Sequence, residues 1–310
     1  YMITSFFKTS KPIHYIIFLV VLTSVFVYQR ISVITHPNPL KELGYLFVVL
    51  ASFLALVFIV TKNNLTHNNS YAALYFCLFM GLIPSSIDTN SILVSNLFIV
   101  LSLRRIVSLK TKTNIKKKLF DAAMWICLAA IFEPWAILFL AVLFIGMLLY
   151  SVFQIKNIAI PFCGIIAVGI LLVCYRLLSV NTFPYLDEFL PTIHFHAFSF
   201  NLITHGGSFL FLTIILFGTF NFIIIRFLKN RLKTPNFSVL ILAIFIGVII
   251  AFIRSSNDVG GYLFAFVPSA IVMAKFSETT KYRWLSELVI GILFFAGLLQ
   301  MGLNISFTVN

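Results

Sequence analysis

The side chains of this sequence that could do chemistry are a few carboxylates and imidazoles in short polar segments between long apolar runs. The chain has nine Asp and Glu residues and six His residues. Those that stand out by position are Glu42, Asp88, Glu133, Asp187, Glu188 and Asp258, with His36, His194, His196 and His205. Carboxylates and imidazoles serve as acid–base catalysts and as metal ligands.

The densest group is His194-x-His196 beside Asp187–Glu188. Two histidines at i and i+2 suit a strand better than a helix face, and a metal would need three or four converging ligands. We therefore predict no metal site and treat His194 and His196 as candidate substrate contacts. HExxH, Walker A, GxSxG and GxGxxG motifs in the right context are also absent, which disfavours a zinc protease, an ATPase and a serine hydrolase. The sequence identifies no cofactor.

The composition indicates which elements must position these residues. The chain has 310 residues, of which 61% are apolar and 10% charged, with a mean hydropathy of +1.06. A soluble domain would be about half apolar and about a quarter charged. We therefore predict an all-α, polytopic transmembrane helical bundle that forms a single integral membrane domain, residues 1–310. The net charge of +13 lies in short loops, so we expect membrane lipids and no nucleic acid as partners.

The basic segment Arg104–Lys118 sets the direction of threading. It holds seven of the 22 Lys and Arg residues and no acid, so the positive-inside rule places it in the cytoplasm of a bacterial inner-membrane protein. About eleven spans follow, with the N-terminus inside and the C-terminus outside, near residues 14–29, 44–61, 71–87, 91–103, 119–132, 135–153, 157–178, 208–225, 237–253, 262–274 and 285–304. Only four Lys and Arg residues then fall outside, namely Arg30, Lys41, Arg176 and Arg254. The spans lack the paired buried charges of a proton relay, which leaves a transporter without support.

Two stretches determine how the chain passes through the membrane. The apolar run Leu119–Phe153 is too long for one helix across a ~30 Å hydrocarbon core. It is either a helical hairpin that turns outside at Glu133–Pro134 or one kinked, tilted helix, and the hairpin keeps the later basic loops inside. The longest outer loop, residues 179–207, contains PYLDEFLPTIHFHAFSFNLITHGG and should form one or two short interfacial helices.

Three stretches resemble the GT-C class of polytopic glycosyltransferases, which use lipid-linked sugars. Arg254-SSNDVGGYLFAFVPSAIVMAKF is similar to its late segment, an outer basic residue before a span, with Tyr262, Leu263 and Pro268 at matching positions. Asp88 before SNLFIVLSLRR is similar to its second outer acidic site, and FDAAMWICLAAIFEPWAILFL to its central hairpin. That class carries an essential acid, often paired, in its first outer loop, and in the same loop this chain has Glu42 alone. The start MITSFFK and the overall pattern also resemble an uncharacterised inner-membrane family of Bacteroidota, which implies a location and no activity.

The GT-C resemblance implies an enzyme that handles polyprenyl-phosphate-linked sugar at the periplasmic face. Asp88 and Glu42 would be its catalytic or metal-binding acids, and residues 179–207 its acceptor site. The substrate contacts would be Arg254 and Arg176, to phosphate, together with Asp258, Glu133, His194 and His196. The alternative is a non-catalytic subunit of an envelope secretion, motility or polysaccharide-export complex, which the scarcity of catalytic groups and the small soluble mass favour.

Overall fold

The computed structural model describes residues 3–33, 38–180, 202–228, 235–254, 259–280 and 283–308, which form helices and contain no strand. The α-helices are α1 Ile3–Phe6, α2 Pro12–Val33, α3 Pro39–Lys62, α4 Tyr71–Leu82, α5 Asn90–Val107, α6 Ile115–Phe132, α7 Phe139–Leu149, α8 Ile155–Val180, α9 Leu202–Leu228, α10 Pro235–Arg254, α11 Leu263–Thr279 and α12 Arg283–Thr308. Short 3₁₀ helices cover Pro84–Ile87, Ser108–Thr111, Pro134–Leu138 and Val259–Tyr262.

Eight helical stretches of the described chain are long and apolar enough to cross a membrane. They are Pro12–Ile31, Pro39–Lys62, Asn90–Thr111, Ile155–Ser179, His205–Ile224, Pro235–Arg254, Val259–Thr279 and Trp284–Leu303. Two further apolar helices, Tyr71–Leu82 and Pro134–Leu149, are shorter. The all-α prediction is confirmed for the described residues, and these apolar helices indicate a multi-pass membrane protein.

Helix α11 forms the centre of the bundle. It contacts α4, α5, α9, α10 and α12, and 94% of the span-length window in Val259–Thr279 is buried, against 17% in Ile155–Ser179 of α8. Helix α10 approaches it closely at Gly247, where an added Cβ would lie 2.9 Å from the backbone nitrogen of Ala265. Small residues allow this approach, because helices in lipid are held mainly by close packing. Helix α8 packs against α6 at the edge.

The apolar run 119–153 forms two helices. Glu133 ends α6 in an extended conformation, and Pro134 starts the 3₁₀ helix that leads into α7; proline cannot continue a helix without losing a hydrogen bond. Helix α7 packs against α6 and α10, and an added Cβ on Gly146 would lie 3.0 Å from Ile106 at the far end of α5. The chain therefore reverses at Glu133–Pro134, as the hairpin interpretation requires.

The two ends of the bundle differ in chemistry. Glu42, Asp88 and Glu133 lie at one end, here called the carboxylate end. The 3₁₀ helix Pro84–Ile87 contacts Val259–Tyr262 there and brings two groups of polar residues to the same region. The segment Arg104–Lys118 lies at the opposite, basic end.

Several helix boundaries differ from those expected. Helix α2 extends to Val33, and α5 extends to Val107 instead of ending near residue 103. Helix α9 already begins at Leu202, so its first turns occupy the C-terminal part of the loop that was expected over residues 179–207. The interfacial helices predicted for that loop fall on residues 181–201, which lie outside the described residues.

Candidate functional site

Arg30 is the centre of the polar cluster at the carboxylate end. Its Nε donates to Glu42 Oε2 at 2.6 Å, and its Nη2 donates to Glu42 Oε1 at 3.1 Å and to the Asn90 side chain. Its Nη1 donates to the carbonyl oxygens of Asp88 at 2.9 Å and Ile87 at 3.3 Å. The Arg30 side chain is only 5% exposed, so a single guanidinium ties α2, α3 and the start of α5 together.

The local sequence explains why Arg30 and Glu42 meet. Asn38 accepts a hydrogen bond from the Leu40 backbone N–H at 3.2 Å and starts α3, which puts Glu42 in the first turn. Arg30 lies in the last turn of α2. An acid near a helix N-terminus and a base near a C-terminus are both stabilised by the helix dipoles. The ring of Tyr45 also lies 5.3 Å from the guanidinium carbon, a cation–π distance.

Asp88 belongs to the same cluster through Gln29. Gln29 Nε2 donates to Asp88 Oδ1 at 3.1 Å and to Oδ2 at 3.2 Å. Asp88 follows the 3₁₀ helix Pro84–Ile87, and its backbone N–H donates to the Ser85 carbonyl at 3.2 Å. The two predicted acids, Glu42 and Asp88, are thus brought together by the consecutive residues Gln29 and Arg30.

A second ion pair joins Glu133 to Arg254. Arg254 Nε lies 3.1 Å from Glu133 Oε2, and their side chains are 17% and 7% exposed. Glu133 stands at the turn of the α6–α7 hairpin and Arg254 is the last residue of α10, whose helix contacts Pro134–Leu138. Burying either charge alone would be costly, so the pair fixes the hairpin turn against α10.

The remaining predicted site residues are not brought into this cluster by the described contacts. Arg176 lies near the end of α8, the helix at the edge of the bundle. Asp258, His194 and His196 lie outside the described residues. Among the residues that are described, no group of three or more His, Cys, Asp or Glu side chains could hold a metal ion.

The sequence reasoning missed Arg30 and Gln29 as parts of the site. Arg30 was expected only as one of four basic residues outside, and the predicted spans were expected to lack the paired buried charges of a proton relay. The buried pairs that the structure shows lie at helix ends, just beyond the predicted spans, where Arg30 pairs with Glu42 and Arg254 with Glu133. The available signal was a basic residue at the end of an apolar run, with an acid twelve residues later in the next helix.

No protein-family model, curated protein or solved structure matches this chain. The geometry therefore carries the functional argument. Both carboxylate oxygens of Glu42 accept hydrogen bonds from one guanidinium, and both oxygens of Asp88 accept from Gln29. These hydrogen bonds connect the ends of α2 and α3 and the turn before α5.

Proposed function

We propose that this chain is a non-catalytic membrane subunit of an envelope assembly in the bacterial inner membrane. The observation that carries the proposal is the engagement of Glu42 and Asp88 by Arg30 and Gln29 at 2.6 to 3.2 Å. The two residues that would have to act as catalytic acids are used as structural acceptors. The described residues outside the helices form short turns with little soluble mass, which suits a protein that works through its membrane helices.

The proposal includes eleven crossings, with the N-terminus in the cytoplasm and the C-terminus outside. The eight long apolar helices supply eight crossings, and α4, α6 and the hairpin arm Pro134–Leu149 supply the others. The reversal at Glu133–Pro134 supports the count, because it keeps the later basic loops on the side of Arg104–Lys118. Cysteine labelling of residues in the loops of a cysteine-free variant tests this topology directly.

A second candidate function is a GT-C-like glycosyltransferase that uses polyprenyl-phosphate-linked sugar. The observation that favours it is the convergence of Glu42, Asp88, Glu133 and Arg254 at the carboxylate end. Arg254 would exchange Glu133 for a lipid phosphate, since guanidinium binds carboxylate and phosphate with the same fork of donors. Residues 179–207 would then supply the acceptor site.

Substitution of Asp88 by Asn distinguishes the two functions. Asn keeps one side-chain oxygen that can accept from Gln29, so the substitution removes the charge and preserves the shape. A non-catalytic subunit should complement a deletion strain fully with the Asp88→Asn variant at normal abundance. An enzyme that needs the carboxylate should lose activity at the same abundance, and that result would refute the subunit proposal.

Purification of the native protein in mild detergent, with mass spectrometry of bound proteins and lipids, supplies the positive test. Stoichiometric partner proteins with only bulk phospholipid would support the subunit proposal. A polyprenyl-phosphate species without stoichiometric partners would contradict it and favour the glycosyltransferase.

A further inference from the structure

A polar cavity of about 480 Å³ lies at the basic end of the bundle. It is bounded by α1, α4, the end of α11 and the start of α12. Its wall presents several hydroxyl groups, those of Thr4, Tyr71 and Ser286 among them, and two charged residues, Lys8 and Glu278. The volume falls within the range of small-molecule sites in proteins, about 300–1,000 Å³.

An apolar groove of about 390 Å³ lies beside this cavity and is lined by Phe7 and by residues of α2, α4 and α12. All of its lining residues are apolar or glycine. The groove opens on the outer surface of the bundle, where Ile17 and Val21 are each 39% exposed and Phe294 is 50% exposed. In a membrane this opening faces the hydrocarbon.

The groove and the cavity follow the same faces of the same helices. On α4, Tyr71 lines the cavity and Leu74, three residues later, lines the groove. On α12, Ser286 lines the cavity and Ile290, four residues later, lines the groove. Residues three or four apart share a helix face, so the two spaces are neighbours along these helices.

The groove has the length of one membrane leaflet. Its α12 residues run from Ile290 to Met301, about 16 Å at a rise of 1.5 Å per residue, against half of a ~30 Å hydrocarbon core. At its far end Tyr28 of α2 donates a hydrogen bond to the Met301 carbonyl at 2.7 Å and joins α2 to α12. Tyr28 immediately precedes Gln29 and Arg30, so the far end of the groove lies close to the carboxylate end. From there the groove runs toward the cavity at the basic end.

The cavity wall carries charges of both signs, as a site for a zwitterionic head group requires. Glu278 is held by Lys275 at 3.0 Å and by His67 at 3.0 Å, with its carboxylate at the cavity wall. Lys8 is an exposed ammonium on the same wall. A phosphate would accept charge-assisted hydrogen bonds from Lys8 and bonds from nearby hydroxyls, while an ammonium group would donate to Glu278.

We propose that the groove and the cavity together bind one aminophospholipid from the leaflet at the basic end, with an acyl chain in the groove and the phosphoethanolamine head group in the cavity. Gly81 provides the test of the groove. An added Cβ at Gly81, which lines the groove, meets no atom within 4 Å, so a side chain can start there without a clash and Leu at this position should fill part of the groove. Gly169 on α8 is the matched control, because its Cβ also meets nothing within 4 Å and it lies away from the groove.

Phospholipid is quantified by mass spectrometry after purification of the full chain in mild detergent. The wild-type protein should retain aminophospholipid, near one molecule per chain, above its share in the membrane. Gly81→Leu should lower this retention about tenfold, equivalent to ~1.4 kcal/mol, and Gly169→Leu should leave it unchanged. Retention in bulk membrane proportions, or equal retention by both glycine variants, would overturn the proposal.

Glu278→Gln tests the head group separately and does not depend on the fate of the glycine variants. It keeps a hydrogen-bond acceptor but removes the charge that faces the ammonium. The variant should lose its preference for phosphatidylethanolamine over phosphatidylglycerol while it retains a similar total amount of phospholipid. Lys8→Gln should lower the retention of both lipids. An unchanged lipid ratio in Glu278→Gln, or an anionic lipid as the preferred species of the wild type, would contradict the assigned head group.

Discussion

Substitution of Glu42 by Gln should destabilise the protein strongly without affecting any chemistry directly. It leaves Arg30, 5% exposed, as a buried charge without its carboxylate partner. Removing one member of a buried pair costs about 3–5 kcal/mol. Arg30 keeps the carbonyl oxygens of Ile87 and Asp88 and the side chain of Asn90 as acceptors, and Gln can still accept one bond. We therefore expect a loss of about 2–3 kcal/mol, since each hydrogen bond to a charged group contributes ~1.5–3 kcal/mol.

The assay is reversible unfolding in mixed micelles, followed by tryptophan fluorescence. A loss of 2–3 kcal/mol corresponds to a roughly 30- to 140-fold smaller ratio of folded to unfolded protein. Lys41→Gln is the matched control, because Lys41 is exposed on the same turn of α3. The double variant Arg30→Met/Glu42→Leu should recover part of the loss, because it removes both charges and fills the space with apolar atoms. The reasoning is refuted if Glu42→Gln is as stable as Lys41→Gln.

Three further predictions concern other contacts. Glu133→Gln should lower stability by only about 1–2 kcal/mol, because the Arg254 side chain is 17% exposed and can reach water more easily. Gly247→Ala should cost about 1–3 kcal/mol, because its Cβ would lie 2.9–3.1 Å from Ala265. Ser269→Ala should leave stability unchanged or raise it by up to about 1 kcal/mol, because the fully buried hydroxyl has no hydrogen-bond partner among the described residues.

The Gly247 and Ser269 predictions each have a control measured in the same unfolding assay. Gly44→Ala should be neutral or stabilising, because an added Cβ meets nothing within 4 Å there and alanine favours helices. Equal effects at Gly44 and Gly247 would contradict the packing argument. Ser95→Ala should cost ~1 kcal/mol, because Ser95 donates to the Ala129 carbonyl at 3.0 Å. A larger loss for Ser269→Ala than for Ser95→Ala would show that the Ser269 hydroxyl has an essential partner.

The helical character of the chain and the break at Glu133–Pro134 could be predicted because both depend on local sequence. Apolar length predicts a membrane helix, and proline after an acid in the middle of such a run predicts a turn. The position of Glu42, Asp88 and Glu133 near helix ends also follows, since the ends of spans are where polar residues can be accommodated. Glu42 and Asp88 could therefore be expected at the same end of the bundle without knowledge of their partners.

The partners could not be predicted because they depend on how helices sit beside one another. Arg30 was expected in an outer loop, but α2 continues to Val33 and buries it against α3 and α5. The cavity at the basic end was not foreseen either, because its residues come from separate elements and Glu278 gains its place only when α11 packs beside α4. Sequence patterns predict where a helix ends, but they do not predict which residues of other helices pack beside that end.

The pair formed by Arg30 and Glu42 also constrains how the chain is made. The ribosome delivers Arg30 twelve residues before Glu42, so the end of α2 carries an unmatched positive charge until the first turn of α3 has emerged. A lone arginine costs about 2.5–3.5 kcal/mol at the centre of a membrane helix and less near its end, where Arg30 lies. The first two long helices should therefore leave the insertion machinery together, and the counter-charge that completes the fold also guides the earliest step of its biogenesis.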